Sequence, residues 1–190
     1  MYIVLGLGNP GVEYKNTRHN VGYRVVERIA SENRVKFKIS RGTFQYAVVK
    51  DKFGKTPPFI IAKPLTFMNL SGIAAKDLLE EFSESVTSLI VVHDDIDLDI
   101  GTLKIKKDGG SGGHKGVESI IKTIGSKDFV RIKIGIGRPG TKDEVIDYVL
   151  IPFKRSEEEI IDNMVIEAIE TVYDFINQGF EYAANRHNGC

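Results

Sequence analysis

The feature that most constrains this chain is a glycine-punctuated stretch at its start. Tyr2-Ile3-Val4-Leu5 is a short apolar, β-branched run of the kind that makes a buried strand. It is stopped by Gly6-Leu7-Gly8-Asn9-Pro10-Gly11, and the chain passes through Tyr14 and Thr17 to Arg18-His19-Asn20-Val21-Gly22. Glycine reaches φ > 0 without a Cβ penalty and lets other groups approach the backbone, so the turn can hold Asn9 at the rim of a cleft. His19 then opens a helix, because Val21, Val25, Val26, Ile29 and Ala30 recur at helical spacing as far as about Asn33.

Gly6, Gly8 and Gly11 formally meet the dinucleotide-binding pattern. That pattern needs the glycines to open a helix directly, and an acidic residue about 20 positions on, at the end of a second strand. Here Pro10 and a polar stretch from Glu13 to Asn20 intervene, and the acid's position falls inside the amphipathic helix. A dinucleotide site is set aside on those grounds.

Further along, Thr43 to Lys50 and Pro58 to Lys63 read as an antiparallel hairpin around Phe53-Gly54. A helix from Ser71 to Phe82 turns Ala74, Ala75, Leu78 and Leu79 inward. Leu89-Ile90-Val91-Val92 is uninterrupted and apolar, the sign of a central strand buried on both faces. His93-Asp94-Asp95 therefore falls at its carboxyl end, where open α/β sheets bind ligands. Thr102 to Lys107 alternates Lys104 and Lys106 with Leu103 and Ile105, giving one wet, basic face.

A glycine-rich loop, a helix from Gly116 to about Gly125 and a strand from Phe129 to Ile136 come next. A short helix is expected from Asp143 to Leu150, and a long one capped by Ser156 with Glu159, reaching about Gln178. The tail from Phe180 to Cys190 reads as a further short helix, able to cover the site. The expected architecture is one α/β domain over residues 1–190: a twisted, mixed, mostly parallel sheet with helices on both faces.

Cys190 is the only cysteine, so an intrachain disulfide or thiolate metal cage is impossible and a reducing cytoplasm fits. Met1 runs straight into a strand and no apolar run approaches the ~18 residues of a membrane span, so neither leader nor membrane partner is expected. The formal net charge is zero. It is unevenly spread: residues 101–142 carry ten Lys or Arg against three acids, and residues 143–181 eleven acids against two bases. Such asymmetry can steer a polyanion to one face.

His19 is the side chain best suited to proton transfer near neutral pH, and a carboxylate such as Asp94 could fix its tautomer. Asn9 and Asn69 carry donor and acceptor together and can hold a carbonyl or developing oxyanion without changing charge. Ser111, centred in Gly109-Gly110-Ser111-Gly112-Gly113, has nucleophile-elbow spacing. The strand before it is half exposed where an elbow needs a buried one. His19, His93, His114 and Asp94 lack the i, i+4 spacing of a helical metal site, and no metal or other cofactor is expected.

The opening stretch resembles bacterial-type peptidyl-tRNA hydrolases, and the resemblance recurs in four more blocks. These are Lys63-Pro64-Leu65-Thr66-Phe67-Met68-Asn69-Leu70-Ser71-Gly72, His93-Asp94-Asp95-Ile96-Asp97-Leu98, Gly109 to Gly116, and Arg131-Ile132-Lys133-Ile134-Gly135-Ile136-Gly137-Arg138-Pro139. It implies hydrolysis of the ester joining peptide to tRNA, which recycles tRNA from abandoned translation products. The implied catalytic set is His19 as general base, Asp94 as its support and Asn9, which helps distinguish peptidyl from free aminoacyl substrates.

In the family, positions matching Tyr14, Phe67 and Asn69 line the substrate's path, and those matching Lys106 and Lys133 grip the tRNA 5′ end. Met68 fits core and peptide contact equally well. Phe67 stands where Tyr is common, Lys133 where Arg is usual, and Lys115 where Asn is often the substrate contact. The expected partner is peptidyl-tRNA, with stalled ribosomal subunits as a further one, for a monomeric protein. A relative that binds RNA without turnover and a general small-ester esterase are the rival readings. Retention of His19, Asp94, Asn9 and Asn69 argues against the first, and the basic strands against the second.

Overall fold

The computed structural model describes residues 1–141 and 144–188. Its described residues form one seven-stranded sheet in the order β2-β3-β4-β1-β5-β7-β6. The strands are β1 (Ile3–Gly6), β2 (Lys38–Ser40), β3 (Phe44–Val49), β4 (Phe59–Pro64), β5 (Leu89–Asp95), β6 (Leu103–Lys107) and β7 (Val130–Gly135). The apolar runs that read as buried strands, β1 and β5, lie side by side at its centre, each flanked by strands on both sides.

Pairing is parallel across β4-β1-β5-β7 and antiparallel at both ends, β2-β3-β4 and β7-β6. The sheet is mixed, as expected, but the parallel share is half of the six pairings. Three local reversals account for the rest. The turn through Arg41 and Gly42 returns β2 onto β3, the longer hairpin returns β3 onto β4, and the tight turn through Asp99–Thr102 sends the chain back as β6 beyond the place β7 later fills.

Strand alternation builds two cores. Val4, Ile90, Val92, Leu103, Ile105, Val130, Ile132 and Ile134 pack under α1 (Val21–Glu32), α5 (Arg155–Gln178) and α6 (Phe180–His187). Ile3, Leu5, Leu89 and Val91 pack on the opposite face under α2 (Ser71–Glu81) and α3 (Lys115–Ile124). On the outer strands that second face carries Lys104, Lys106, Arg131 and Lys133, with Lys104 opposite Lys133 and Lys106 opposite Arg131. The basic strand face of the sequence is thus a four-cation row.

Several boundaries differ from the expectations. The short helix α4 is Val145–Val149, with Asp143 outside the described residues. Helix α5 begins earlier than Ser156: Glu157 accepts from the Lys154 N–H at 2.7 Å, so the acidic half of the cap comes from Glu157 rather than Glu159. The tail does form α6, but it packs on the α5 side. Asn188 there accepts from the Ile105 N–H and donates to the Ile105 carbonyl, at 2.8 and 3.0 Å, sealing part of the β6 edge. None of its described residues covers the site.

Candidate active site

The turn that carries His19 is held by close packing that only glycine permits. A Cβ on Gly22 would lie 2.4 Å from the Val92 carbonyl oxygen and 2.5 Å from the Leu7 nitrogen. Without that Cβ, the start of α1 seats directly on the carboxyl ends of β1 and β5. Leu7 donates to the Val92 carbonyl at 2.9 Å and Tyr23 to the Leu7 carbonyl at 3.2 Å. The Arg18–Asn20 turn that precedes α1 is buried, and it delivers His19 to the end of β5.

There His19 Nδ1 lies 2.9 Å from both oxygens of Asp94. Because a carboxylate accepts, Nδ1 carries the hydrogen and Nε2 is the ring nitrogen left with a free lone pair. Burial pushes the His19 pKa down, but the charge and hydrogen bond of Asp94 outweigh it, and the net direction is up. Burial likewise opposes the ionised form of Asp94, yet the charges of His19 and His114 and their hydrogen bonds hold it well below the usual carboxylate range.

His114 is the partner that sequence reasoning missed as part of this pair. Its Nε2 lies 2.9 Å from Asp94 Oδ1, while its Nδ1 accepts from the Gly116 and Val117 N–H groups at 3.2 and 3.3 Å and so caps α3. A nitrogen that accepts cannot carry the hydrogen, which fixes the Nε2–H tautomer and aims it at Asp94. The legible signal was a histidine directly before an amphipathic helix. His93 lies beneath, its ring edge-on to His114 at 4.6 Å, and donates Nδ1–H to the Asp94 carbonyl at 2.6 Å. Burial first, then the repulsion that a second imidazolium would meet beside His114, push the His93 pKa well down, so it stays neutral.

His19, Asp94 and His114 place their donor atoms within 4.8 Å of one another, the spacing of a metal triad. Ligation would need the Nε2 lone pair of His114, which its cap geometry has turned into an N–H. The trio fits a hydrogen-bond relay better than a cation. Ser111 Oγ meets only the Gly113 N–H, at 3.3 Å, with no base beside it among the described residues.

Asn9 is oriented by three bonds. Asn20 accepts from the Asn9 N–H and donates to its carbonyl, both at 2.9 Å, and Asn9 Oδ1 accepts from the Met68 N–H at 2.7 Å. With Oδ1 so engaged, the amide nitrogen faces the cleft as a donor. Met68 is buried at the cleft floor, whereas Asn69 and Phe67 are exposed on its rim. Tyr14 stands edge-on to Phe67 at 6.2 Å, outside the lining itself.

These groups open into a trough of about 900 Å³ between β5, the glycine loop and α4. Its lining includes the polar Asn9, His19 and Asp94 and an apolar wall of Ile96, Val145, Ile146, Val149 and Leu150. Gly112 and Gly113 line it, while the carbonyls of Gly109 and Gly110 are each gripped at 2.7 Å by the buried Arg131. The cations nearby are engaged: Lys115 with Glu118 at 3.1 Å, Lys133 with Asp95 and Arg138 with Asp97. Lys106 stays exposed on the open face, opposite Arg131. The structure therefore gathers Asn9, His19, Phe67, Met68, Asn69, Asp94 and Lys115 around one trough and leaves Tyr14, Lys106 and Lys133 outside it.

A carboxylate-supported histidine and an amide in a partly apolar trough, with a row of cations on the adjoining strands, define a class: α/β proteins with a candidate acid–base site. Comparison with known proteins makes the class particular. The family model for peptidyl-tRNA hydrolase matches residues 3–190. The peptidyl-tRNA hydrolase of Aquifex aeolicus is 45% identical over 184 residues, 95% of this chain and 93% of its own. That of Thermodesulfovibrio yellowstonii is 44% identical over 190 residues, 99% of each chain. The crystal structure of the Acinetobacter baumannii peptidyl-tRNA hydrolase, 30% identical, superposes with a TM-score of 0.91 over 100% of this chain and 95% of that one. The chain belongs to the peptidyl-tRNA hydrolase family, and it is an enzyme of that activity.

Proposed function

We propose that His19 is the general base of this hydrolysis. Neutral His19 takes a proton through Nε2 from a water whose oxygen attacks the ester carbonyl. The carbonyl electron pair moves onto oxygen, where the Asn9 amide donates to the developing charge. As the tetrahedral intermediate collapses, the ester C–O bond breaks and the proton on His19 passes to the departing 3′ oxygen. The products are tRNA with a free 3′ hydroxyl and a peptide carboxylic acid, which loses its proton to solvent as the carboxylate forms. Asp94 holds the imidazole in the Nδ1–H tautomer and stabilises the imidazolium, as carboxylate partners of catalytic histidines do.

The observation that carries this reading is the double contact of His19 Nδ1 with Asp94, which leaves Nε2 as the free ring nitrogen. The apolar wall suits the peptide, and Phe67 and Asn69 suit the 3′ end that enters over the rim. Lys104 and Lys106 meet phosphates, with Lys133 joining them once phosphate competes for its Asp95 pairing. Lys115, one turn from its Glu118 partner, acts as a point charge rather than through paired amide contacts. The test is cleavage of N-acetyl-aminoacyl-tRNA and of its unblocked form, each with and without chelator. Cleavage of the blocked form alone, undiminished by chelator, is expected; loss of activity on chelation would contradict the metal-free base.

A further inference from the structure

The residue before His19 is the largest fully buried side chain among the described residues, and nothing in the proposed chemistry uses it. The Arg18 guanidinium is stacked between the rings of Tyr148, at 4.4 Å, and Phe153, at 4.8 Å. Its Nη2 donates to Glu157 at 2.7 Å, while Nε and Nη1 are buried with no hydrogen-bond partner among the described residues. Two backbone links run alongside: Arg18 N–H donates to the Ile151 carbonyl at 3.0 Å, and Thr17 bridges to Pro152.

Burying a guanidinium with two unmet donors opposes folding, and an apolar side chain of similar volume would fill this space at least as stably. The arrangement is better explained by what it joins. Tyr148 lies on α4, the helix whose Val145, Ile146, Val149 and Leu150 form the apolar wall of the trough, and its hydroxyl donates to the Ile136 carbonyl at 2.6 Å. Glu157 belongs to the first turn of α5 and also accepts from the Lys154 N–H. A single side chain therefore ties the catalytic turn, the apolar wall and the start of α5 together.

We propose that Arg18 is a positioning residue: a buried latch that holds the α4 wall at a fixed distance from His19, so that the acyl-peptide meets a preformed surface. The proposal rests on the reading that the wall receives the peptide. Cation–π stacking sets the height of Tyr148 over the turn, and the Glu157 pair sets its direction. Holding the wall in advance removes an ordering cost from substrate binding and leaves the proton transfer itself unchanged.

The test uses three variants of the full chain: Arg18→Met with Glu157→Gln, which removes the charges and keeps the volume; Tyr148→Leu, which removes the stack from the α4 side; and Ile146→Asp, which spoils the wall directly. For each, Tm, kcat and KM are measured with N-acetyl-aminoacyl-tRNA and with tRNA carrying an apolar tripeptide. The expected result for the two latch variants is a KM raised roughly tenfold on the tripeptide substrate and less on the short one, with kcat within about threefold. Their effects on KM should not add when combined, since both open one latch.

A merely structural Arg18 would instead lower Tm and leave KM independent of peptide length. If Ile146→Asp raises KM and the latch variants do not, the latch is wrong and the wall stands. If none of the three moves KM, the wall does not receive the peptide and the proposal falls with it. Should the Arg18 double variant fail to fold, Tyr148→Leu alone decides, by a length-dependent rise in KM or its absence.

Discussion

His19 and Asp94 determine each other's protonation. Burial alone would place His19 below its ordinary value of 6.5, and the Asp94 carboxylate more than offsets it. A base must be neutral to act, so kcat/KM should rise with pH through an ionisation above 6.5. In Asp94→Asn, burial has no counterweight. The ascending limb should shift to lower pH while the plateau falls by about 10²-fold or more. A pH–rate profile of the two forms checks both, and an unmoved limb would show that Asp94 does not set the base. Stability follows the same signs: Asp94 stabilises fully above 3.8 and less as pH falls through its depressed folded value, whereas His19⁺ stabilises fully below 6.5 and less as pH rises through its raised one. Lys115 is exposed and bound to Glu118, so Lys115→Ala should raise KM in a salt-dependent way with kcat little changed, and Lys115→Asn should stay active. Three indistinguishable forms at two salt concentrations would show that residue 115 does not touch substrate.

At the scale of elements, the glycine stretch that dominates the sequence is a packing device as much as a turn. Gly22→Ala would drive a methyl into the Val92 carbonyl and the Leu7 backbone, and should destabilise by about 3 kcal/mol, the upper range for overpacking. Chemical denaturation measures this directly; a change under about 0.5 kcal/mol would mean that α1 can shift off β5 freely. Strands β1, β3 to β7 and helices α1 to α3 are legible in the sequence because their periodicity and glycine punctuation agree. Strand β2 is not, since Lys38-Ile39-Ser40 is an exposed edge with no apolar alternation to mark it. The cap of α5 lies away from its expected place because Ser156 and Glu159 have the right chemistry at the wrong offset, while Glu157 is also drawn to Arg18. The candidate residues that meet at the trough, Asn9, His19, Phe67, Met68, Asn69, Asp94 and Lys115, all lie in four of the sequence blocks. The orientation of Asn9 depends on Asn20 and the Met68 backbone, and the engagement of Lys133 on Asp95, a residue of the neighbouring strand; neither contact is written locally.

Over the whole molecule a net charge of zero conceals two faces. Lys104, Lys106, Arg131 and Lys133 project from one side of the outer strands, and the acidic α5 packs on the other. Lys104→Ala and Lys106→Ala should weaken binding of every tRNA about equally and lower the salt slope by about one for each lysine removed. Binding titrations between low and physiological salt check this, and unchanged slopes would make the row a solvated surface. The row leads away from His19 along the strands, so a long polyanion can be gripped at a distance while its acylated end lies in the trough. The measurement closest to the central claim is the single-turnover rate of N-acetyl-aminoacyl-tRNA cleavage by the parent and by His19→Ala, in chelator, with tRNA binding measured alongside. A fall of at least about 10²-fold with binding retained is the expected result; a rate within a few-fold of the parent would contradict His19 as the base.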